Sequence, residues 1–301
     1  MNIRSVRQGA IRSSAHDCAG SVWTYAYDQR GSGRSVFCEA RAHGGKACGL
    51  VQASIQRHLT EQLRDWRQRK FPRWVWVNPR ADAFLESSRD LGASTEAVIS
   101  TLATRRIGAL IHTRGGMPAG RRLVHVGRRF PDLLRVGLGF FSGRDSIADR
   151  WERGSSSLGA RIDLLAELNR FGVDTGVRLG PLLPHVNDTL DDWAPILEQL
   201  SDVGVTEVTP FWTKPSRRLL SQIRREISMD AADAIDSMFN GGDDLRTMHW
   251  QVATLNRMRS CARSLGIVVK RCRCGPERSA KAACLIGPRK AREARQLALF
   301  A

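Results

Sequence analysis

The sequence has few cysteines, few lysines and only two tyrosines, and it lacks any long apolar run. Seven cysteines in 301 residues are too few for a disulfide scaffold, so we predict a reduced, cytoplasmic protein. No apolar stretch reaches the roughly 18 residues of a membrane span, and no apolar segment follows the basic start. We therefore expect neither a membrane span nor a secretory signal. An apolar fraction of 42% and a charged fraction of 26% are typical of a folded protein.

Two common site patterns are also missing. The seven histidines show no two-histidine metal spacing with a carboxylate. The glycines at 31–33 and 115–116 are not followed by the Lys-Ser/Thr pair of a phosphate-binding loop. The sequence therefore favours neither of these sites.

Basic residues are concentrated at the two ends of the chain. The net charge is +17, and only six of the 47 basic residues are lysines. Residues 1–80 carry 14 basic and 5 acidic residues and residues 267–301 carry 9 and 2, whereas residues 81–266 carry 24 and 23. Because guanidinium groups fit phosphate oxygens and phosphate contacts release counterions, the basic ends predict binding to nucleic acid. The alternative is that the arginines reflect genome composition and the ends are simply solvated.

Short apolar runs alternate with amphipathic ones from about residue 70 to residue 271. The pattern predicts strands at 74–77, 107–113, 133–141, 173–184, 205–212 and 267–272. It predicts helices at 94–106, 121–130, 160–171, 190–203 and 245–265. Three of these helices are followed by a glycine suited to a left-handed C-terminal cap, namely Gly172, Gly204 and Gly266.

Repeated strand–helix units predict an α/β fold with a parallel sheet, and their number favours a partial (β/α)6 TIM-type barrel. We expect the barrel core to span 74–271, between a basic N-terminal segment (1–73) and a basic, cysteine-containing C-terminal tail (272–301). Turn-forming and polar residues follow four of the strands, at 78–84, 112–116, 140–144 and 178–187. Since parallel strands end at one rim, these segments predict a site there, although each could also be an ordinary turn.

The segment 135–188 contains an ordered series of short motifs. They are Glu152, Ser155 to Ser157, Arg161, Gly172-Val173, Gly176-Val177, Pro181, Leu182-Leu183-Pro184 and Asn187-Asp188. Upstream stand Asp82-Ala83-Phe84 and His112-Thr113-Arg114-Gly115. This series resembles the barrel of radical S-adenosylmethionine (SAM) proteins of the spore photoproduct lyase family, over about three-quarters of the chain.

The resemblance implies a radical SAM barrel with DNA-repair-type lyase chemistry on nucleic acid. Family members cleave SAM reductively to a 5′-deoxyadenosyl radical, which abstracts hydrogen from a substrate such as a damaged thymine pair. It places Arg114 against the SAM carboxylate and Gly139 where the family has a small hydroxyl near that carboxylate. Arg178 and Asn187 are further candidates for the cofactor pocket.

The family's cluster motif is degenerate in this sequence. Such enzymes hold a [4Fe–4S] cluster with three thiolates in a Cys-x3-Cys-x2-Cys loop after the first strand, which would lie in the 1–73 segment. Cys18 occupies the first position, but Val22 and Tyr25 occupy the other two. Valine cannot bind iron and a phenolate is a poor substitute for thiolate, so we expect impaired or lost [4Fe–4S]/SAM chemistry. A different loop built from Cys18, Cys38 and Cys48 remains an alternative.

Four cysteines near the C-terminus form a second candidate metal site. Cys261, Cys272, Cys274 and Cys284 have the spacing Cys-x10-Cys-x1-Cys-x9-Cys. Four thiolates can hold zinc or an auxiliary iron–sulfur cluster, and nearby arginines favour thiolate. The alternatives are ordinary reduced cysteines, with Cys261 in the core. The second hypothesis for the whole chain is a catalytically silent barrel that binds nucleic acid or a protein partner, with at most this structural metal.

Overall fold

A computed structural model describes residues 12–13, 22–24, 59–61, 63–64, 74–77, 82–85, 89–152, 154–212, 215–241 and 244–270. These residues contain one eight-stranded sheet in which the strands follow one another in chain order. The strands are β1 (Arg12–Ser13), β2 (Val22–Thr24), β3 (Trp74–Val77), β4 (Gly108–Thr113), β5 (Leu134–Phe140), β6 (Asp174–Leu182), β7 (Glu207–Trp212) and β8 (Val268–Val269). Strands β2 to β8 are parallel, and β1 is antiparallel to β2.

Helices connect the strands from β3 onward. They are α1 (Arg89–Thr104), α2 (Arg121–Arg129), α3 (Asp145–Trp151), α4 (Leu158–Arg170), α5 (Leu190–Asp202), α6 (Arg217–Glu226), α7 (Met229–Asn240) and α8 (Asp244–Arg263). A short 3-10 helix, Pro131–Leu133, precedes β5. None of the described helices combines the length and the apolar character that crossing a membrane would need.

The sheet buries one face and leaves the other partly open. In β5, Leu134, Val136, Leu138 and Phe140 are buried in the main apolar cluster, whereas the residues between them are less buried. Right-handed crossovers between neighbouring parallel strands place the connecting helices on a single face, which explains this alternation. The predicted partial barrel is confirmed: six parallel strands, β3 to β8, cover the predicted core, and β2 adds a seventh at its edge.

The predicted glycine caps are confirmed by backbone angles. Gly172, Gly204 and Gly266 have φ values of +75°, +76° and +69°, in the left-handed region that L-residues with a side chain rarely adopt. The largest differences from the predicted boundaries are that α1 begins at Arg89, five residues earlier than expected, and that β8 contains only Val268–Val269. The other boundaries of the predicted elements lie within two residues of the expected ones.

Three helices were not predicted, and together they form a second apolar cluster beside the carboxyl ends of the strands. Helices α3, α6 and α7 surround Phe141, Leu183 and Val186, which follow β5 and β6. Trp151 of α3 stacks on Phe141 with ring centroids 5.8 Å apart. This cluster forms one side of the mouth of the open barrel.

Candidate functional site

The rim predicted from the strand ends is present, and Asp82 joins two of these ends. Asp82 Oδ1 accepts hydrogen bonds from Thr113 Oγ1 at 2.8 Å and from the Phe84 amide at 3.0 Å. Its Oδ2 accepts from the Arg114 amide at 2.5 Å. Burial raises the pKa of Asp82, and these hydrogen bonds oppose the rise because they stabilise the carboxylate. Asp82 thus fixes the loop after β3 against the end of β4, where the side chain of Arg114 begins.

Arg114, Glu152 and Arg161 form a charged triad at the mouth. Arg114 Nε lies 2.6 Å from Glu152 Oε1, and Arg161 Nη2 donates to Glu152 Oε2 at 2.8 Å. Only 1% of the Glu152 side chain and 3% of the Arg161 side chain are exposed, whereas Arg114 is 19% exposed. One carboxylate faces two guanidinium groups, so the triad carries an excess positive charge that favours an anionic ligand.

Backbone carbonyls fix the two guanidinium groups of the triad. Arg114 Nη2 donates to the Gly180 carbonyl at 3.2 Å, and Arg161 Nη1 donates to the Gly139 carbonyl at 2.6 Å. A Cβ atom at Gly139 would lie 3.3 Å from Cγ of Arg114. The glycine that stands in place of the expected hydroxyl therefore leaves room for the arginine stem, and no side-chain hydroxyl is present at that position.

Two glycines allow the loop after β4 to approach its neighbours closely. A Cβ atom at Gly115 would lie 1.9 Å from the Phe84 carbonyl oxygen, and one at Gly116 would lie 2.4 Å from the carbonyl carbon of Ala160. The Gly116 amide donates to Ser156 Oγ at 2.8 Å, and the Ser156 amide donates to the Arg114 carbonyl at 3.2 Å. These contacts hold the β4 loop against the segment that carries Glu152 and Arg161.

Asn187, a predicted pocket residue, lies at the same rim in a fully buried position. Its Nδ2 donates to the carbonyls of Phe141 at 2.8 Å and Pro181 at 3.0 Å, and its Oδ1 accepts from the Leu183 amide at 2.8 Å. Both amide protons and the amide oxygen thus bond within the protein. Contact between Asn187 and a ligand stays a prediction.

The other predicted pocket residue, Arg178, lies on β6 with its guanidinium group 4.2 Å from the centre of the Phe211 ring. Arg178 faces the open side of the sheet, where His112 of β4 also lies. Stacking on an aromatic ring leaves the edge of a guanidinium group available for hydrogen bonding. The position is compatible with the predicted pocket role.

A network that the sequence did not predict joins β5 to α5. Asp192 is fully buried and accepts from Ser142 Oγ at 2.6 Å, from Arg144 Nε at 2.8 Å and from Arg144 Nη2 at 3.1 Å. It also closes the capping box at Thr189. The Thr-x-x-Asp spacing was the sequence signal that could have identified Asp192 as a structural residue.

His112 lies partly buried on the open side of the sheet. A Cβ atom at Gly137 would lie 2.7 Å from its Nδ1, so the glycine on the neighbouring strand makes room for the imidazole ring. Burial lowers the pKa of His112 well below 6.5, and the positive charges of Arg178 and Arg114 lower it further. The ring is therefore neutral in the folded protein near pH 7.

We expect the protein to lose stability as the pH falls below about 6.5, because His112 then gains a proton in the unfolded chain but not in the folded one. The contribution is at most about 1.4 kcal/mol per pH unit. Urea unfolding at several pH values from 7.5 down to about 5 measures it, and His112→Gln is expected to have the shallower pH dependence. Equal slopes in both proteins would contradict the assignment.

The predicted metal sites are not represented among the described residues. Those residues contain no group of three or more His, Cys, Asp or Glu side chains able to hold a metal ion. Cys18, Cys38, Cys48, Cys272, Cys274 and Cys284 lie outside them. Val22, which stands at the second thiolate position, pairs with Val75 within the sheet. The cysteines that the sequence offers for a cluster loop therefore stay a prediction.

Cys261 is the member of the C-terminal group that can be placed. It lies on α8, partly buried against the main apolar cluster. Burial raises the pKa of the Cys261 thiol, and the negative charge of Glu198 raises it further. Both effects favour the protonated thiol over the thiolate.

Comparisons with known proteins give solved structures but no family. No protein-family profile matches the chain, and no curated protein matches it. The chain is similar to spore photoproduct lyase complexed with dinucleoside spore photoproduct, at 13% identity and a TM-score of 0.45, covering 57% of this chain and 51% of that one. A variant of that lyase with bound AdoMet and dinucleoside spore photoproduct is 11% identical, with a TM-score of 0.44. That match covers 62% of this chain and 64% of the variant. A cysteine-to-serine variant of the lyase is 14% identical, with a TM-score of 0.44, and the match covers 61% of this chain and 64% of that variant. The chain spans 51% to 64% of the length of these neighbours.

Proposed function

We propose that this chain is a radical SAM-type barrel protein that acts on nucleic acid, and that its mouth binds SAM while its iron–sulfur chemistry is impaired or lost. The observation that carries the proposal is the triad of Arg114, Glu152 and Arg161, in which one buried carboxylate meets two guanidinium groups. The motif series at 135–188, which contains two of the three residues, supports the same reading.

The triad is suited to the carboxylate of the amino-acid moiety of SAM. Arg114 is its most exposed member and lies at the carboxyl end of β4, so it is the group that an entering carboxylate would meet. A guanidinium group can hold a carboxylate through two parallel hydrogen bonds. Arg161, bonded to Glu152 and to the Gly139 carbonyl, supplies positive charge from below.

The proposal covers the binding of SAM and of a nucleic-acid partner, and it does not include a working iron–sulfur cluster. With a reduced [4Fe–4S] cluster, SAM supplies a carbon-centred radical in enzymes of this type. SAM binding at the triad can be measured without that chemistry.

Arg114→Lys is expected to weaken SAM binding by about tenfold or more, because lysine keeps the charge beside Glu152 but cannot form the paired hydrogen bonds. Isothermal titration of the purified chain with SAM measures the affinity. Arg122→Lys is the matched control, since Arg122 is an exposed arginine that pairs with Glu96 on the outer helices. Equal affinity in wild type and Arg114→Lys, or no binding of SAM to either, would overturn the proposal.

The second candidate function is a silent barrel, favoured by Val22 standing within β2 at the position of a required thiolate. An anaerobic count of iron and sulfide after reconstitution separates the two functions. About four irons per chain with absorbance near 400 nm support an active cluster. Colourless protein supports the silent barrel, and stoichiometric zinc assigns the C-terminal cysteines a structural metal. Substituting Cys18 and then Cys274 by serine shows which end of the chain holds any iron.

A further inference from the structure

An arginine cluster lies at the end of the sheet opposite the mouth. Helices α1, α2 and α4 end immediately before β4, β5 and β6, so their last turns are at the amino ends of these strands. Five exposed arginines lie in or directly after those turns, and we name them the amino-end arginine cluster: Arg105, Arg106, Arg128, Arg129 and Arg170. They belong to the part of the chain whose overall charge is nearly balanced, so a count of charges along the sequence does not reveal them.

The topology places the three helix ends side by side. Strands β4, β5 and β6 are neighbours, with Ala109 paired to Leu134 and Arg135 paired to Asp174 at their amino ends. Helix α2 packs against both α1 and α4. The helix ends that carry the cluster are therefore neighbours along one end of the barrel.

Few acidic groups oppose this positive charge. Glu167 pairs with Arg170 at 3.6 Å, and Asp132 lies in the short helix before β5. Within the described residues, no carboxylate pairs with Arg105, Arg106, Arg128 or Arg129. A single cation near a helix C-terminus is enough to interact favourably with the helix dipole. Helices α1 and α2 each have two adjacent arginines there, so the dipole alone does not explain the cluster.

Aromatic rings hold three of the guanidinium groups. Arg128 and Arg170, from different helices, lie 4.9 Å and 5.6 Å from the centre of the Phe171 ring. Arg129 lies 5.1 Å from the centre of the Phe130 ring. Stacked guanidinium groups keep their N–H edges for other acceptors and lose less conformational freedom on binding, and their planar fork fits phosphate oxygens.

We propose that the amino-end arginine cluster is a docking surface for the phosphate backbone of nucleic acid. The inference rests on the nucleic-acid partner in the proposed function, and it assigns that partner a second contact surface away from the mouth. The surface offers guanidinium groups, which fit phosphate oxygens, so we assign it contacts with phosphates that are independent of base sequence.

The test compares two triple variants of the full chain with the same change in net charge. The first is Arg105→Glu, Arg128→Glu and Arg129→Glu in the cluster. The control is Arg246→Glu, Arg257→Glu and Arg259→Glu, which change three exposed arginines of α8. Fluorescence anisotropy with a labelled DNA duplex of about 20 base pairs, at several KCl concentrations, gives affinity and salt dependence. Circular dichroism confirms that each variant is folded, and a second cluster variant with glutamine at the same three positions repeats the comparison.

We expect the cluster variant to bind the duplex at least tenfold more weakly than wild type and to lower the salt slope by about two to three, one for each lost phosphate contact. The control is expected to change affinity by less than about threefold. Equal affinity in the cluster variant and wild type, or equal losses in the cluster and control variants, would show that the cluster is not a docking surface. The proposal of a nucleic-acid partner would still stand. Failure of the wild-type chain to bind the duplex would overturn both, whereas the SAM titration tests the mouth independently.

Discussion

Glu152→Gln is expected to lower the free energy of unfolding by about 3–5 kcal/mol. The substitution removes the only carboxylate that bonds both guanidinium groups of the triad, and it leaves two cations at a site from which water is almost excluded. A buried charge without its partner costs far more than the pair gains, because desolvation is then not offset by attraction. The amide of glutamine has nearly the same shape, so the loss reports charge and not packing.

Urea unfolding of wild type and variant measures this loss. Asp163→Asn is the matched control, because Asp163 is an exposed acid on the same helix as Arg161 and its change should stay within about 0.5 kcal/mol. Combining Glu152→Gln with Arg161→Met should recover part of the loss, since one of the two unpaired cations is then removed. A loss below about 1 kcal/mol for Glu152→Gln alone would show that the triad is hydrated, contrary to its burial.

Gly115→Ala is expected to destabilise the protein by about 1–3 kcal/mol or more and to weaken SAM binding at the same time. The new methyl group would stand 1.9 Å from the Phe84 carbonyl oxygen, which is a backbone atom fixed by the hydrogen bond from the Phe84 amide to Asp82. Relief of this clash requires the loop after β4 to move, and Arg114 would move with it.

Gly159→Ala is the control for this substitution. Gly159 lies in the first turn of α4, and an added Cβ there meets nothing within 4 Å. Alanine in a helix is more favourable than glycine, so we expect Gly159→Ala to raise stability by about 0.5–1 kcal/mol. Thermal unfolding and SAM titration of both variants test the pair. Equal changes in thermal stability and in SAM affinity for the two variants would contradict the close approach of Gly115 to Phe84.

The regular part of the barrel could be predicted from the sequence because its signals are local. Buried strands are short apolar runs, their helices have apolar residues on one face, and Gly172, Gly204 and Gly266 end three helices in the left-handed conformation. The rim followed from the same pattern, since parallel strands must end together. Asp82 and Arg114 were therefore expected near one another, and the hydrogen bond between them is present.

The helices beside the mouth were not predicted, although the sequence of α6 is amphipathic. Helix α6 is rich in arginine and buries only a few apolar residues, among them Leu219, Leu220 and Ile223. These three residues lie on one face of the helix, so the segment does carry an amphipathic signal. Their packing against Trp151 and Leu183, which lie far away in the chain, could not be seen in that signal.

The pairing within the triad was likewise beyond sequence reasoning. Glu152 and Arg161 were recognised as members of a motif series, but nothing in the series indicates that Glu152 bonds Arg114, which precedes it by a whole strand and helix. That contact depends on the Gly116 and Ser156 hydrogen bond, which brings two loops together. Loop-to-loop approach of this kind leaves no periodic trace in a sequence.

An unclosed sheet always has two free borders, and here both are short. The first and last strands in the described residues, β1 and β8, contain two residues each, and Lys270 directly follows β8. Unpaired borders invite strands from other molecules, and brief, charged ones resist such pairing. Among the described residues, the open sheet therefore presents no long template for fibrous self-association.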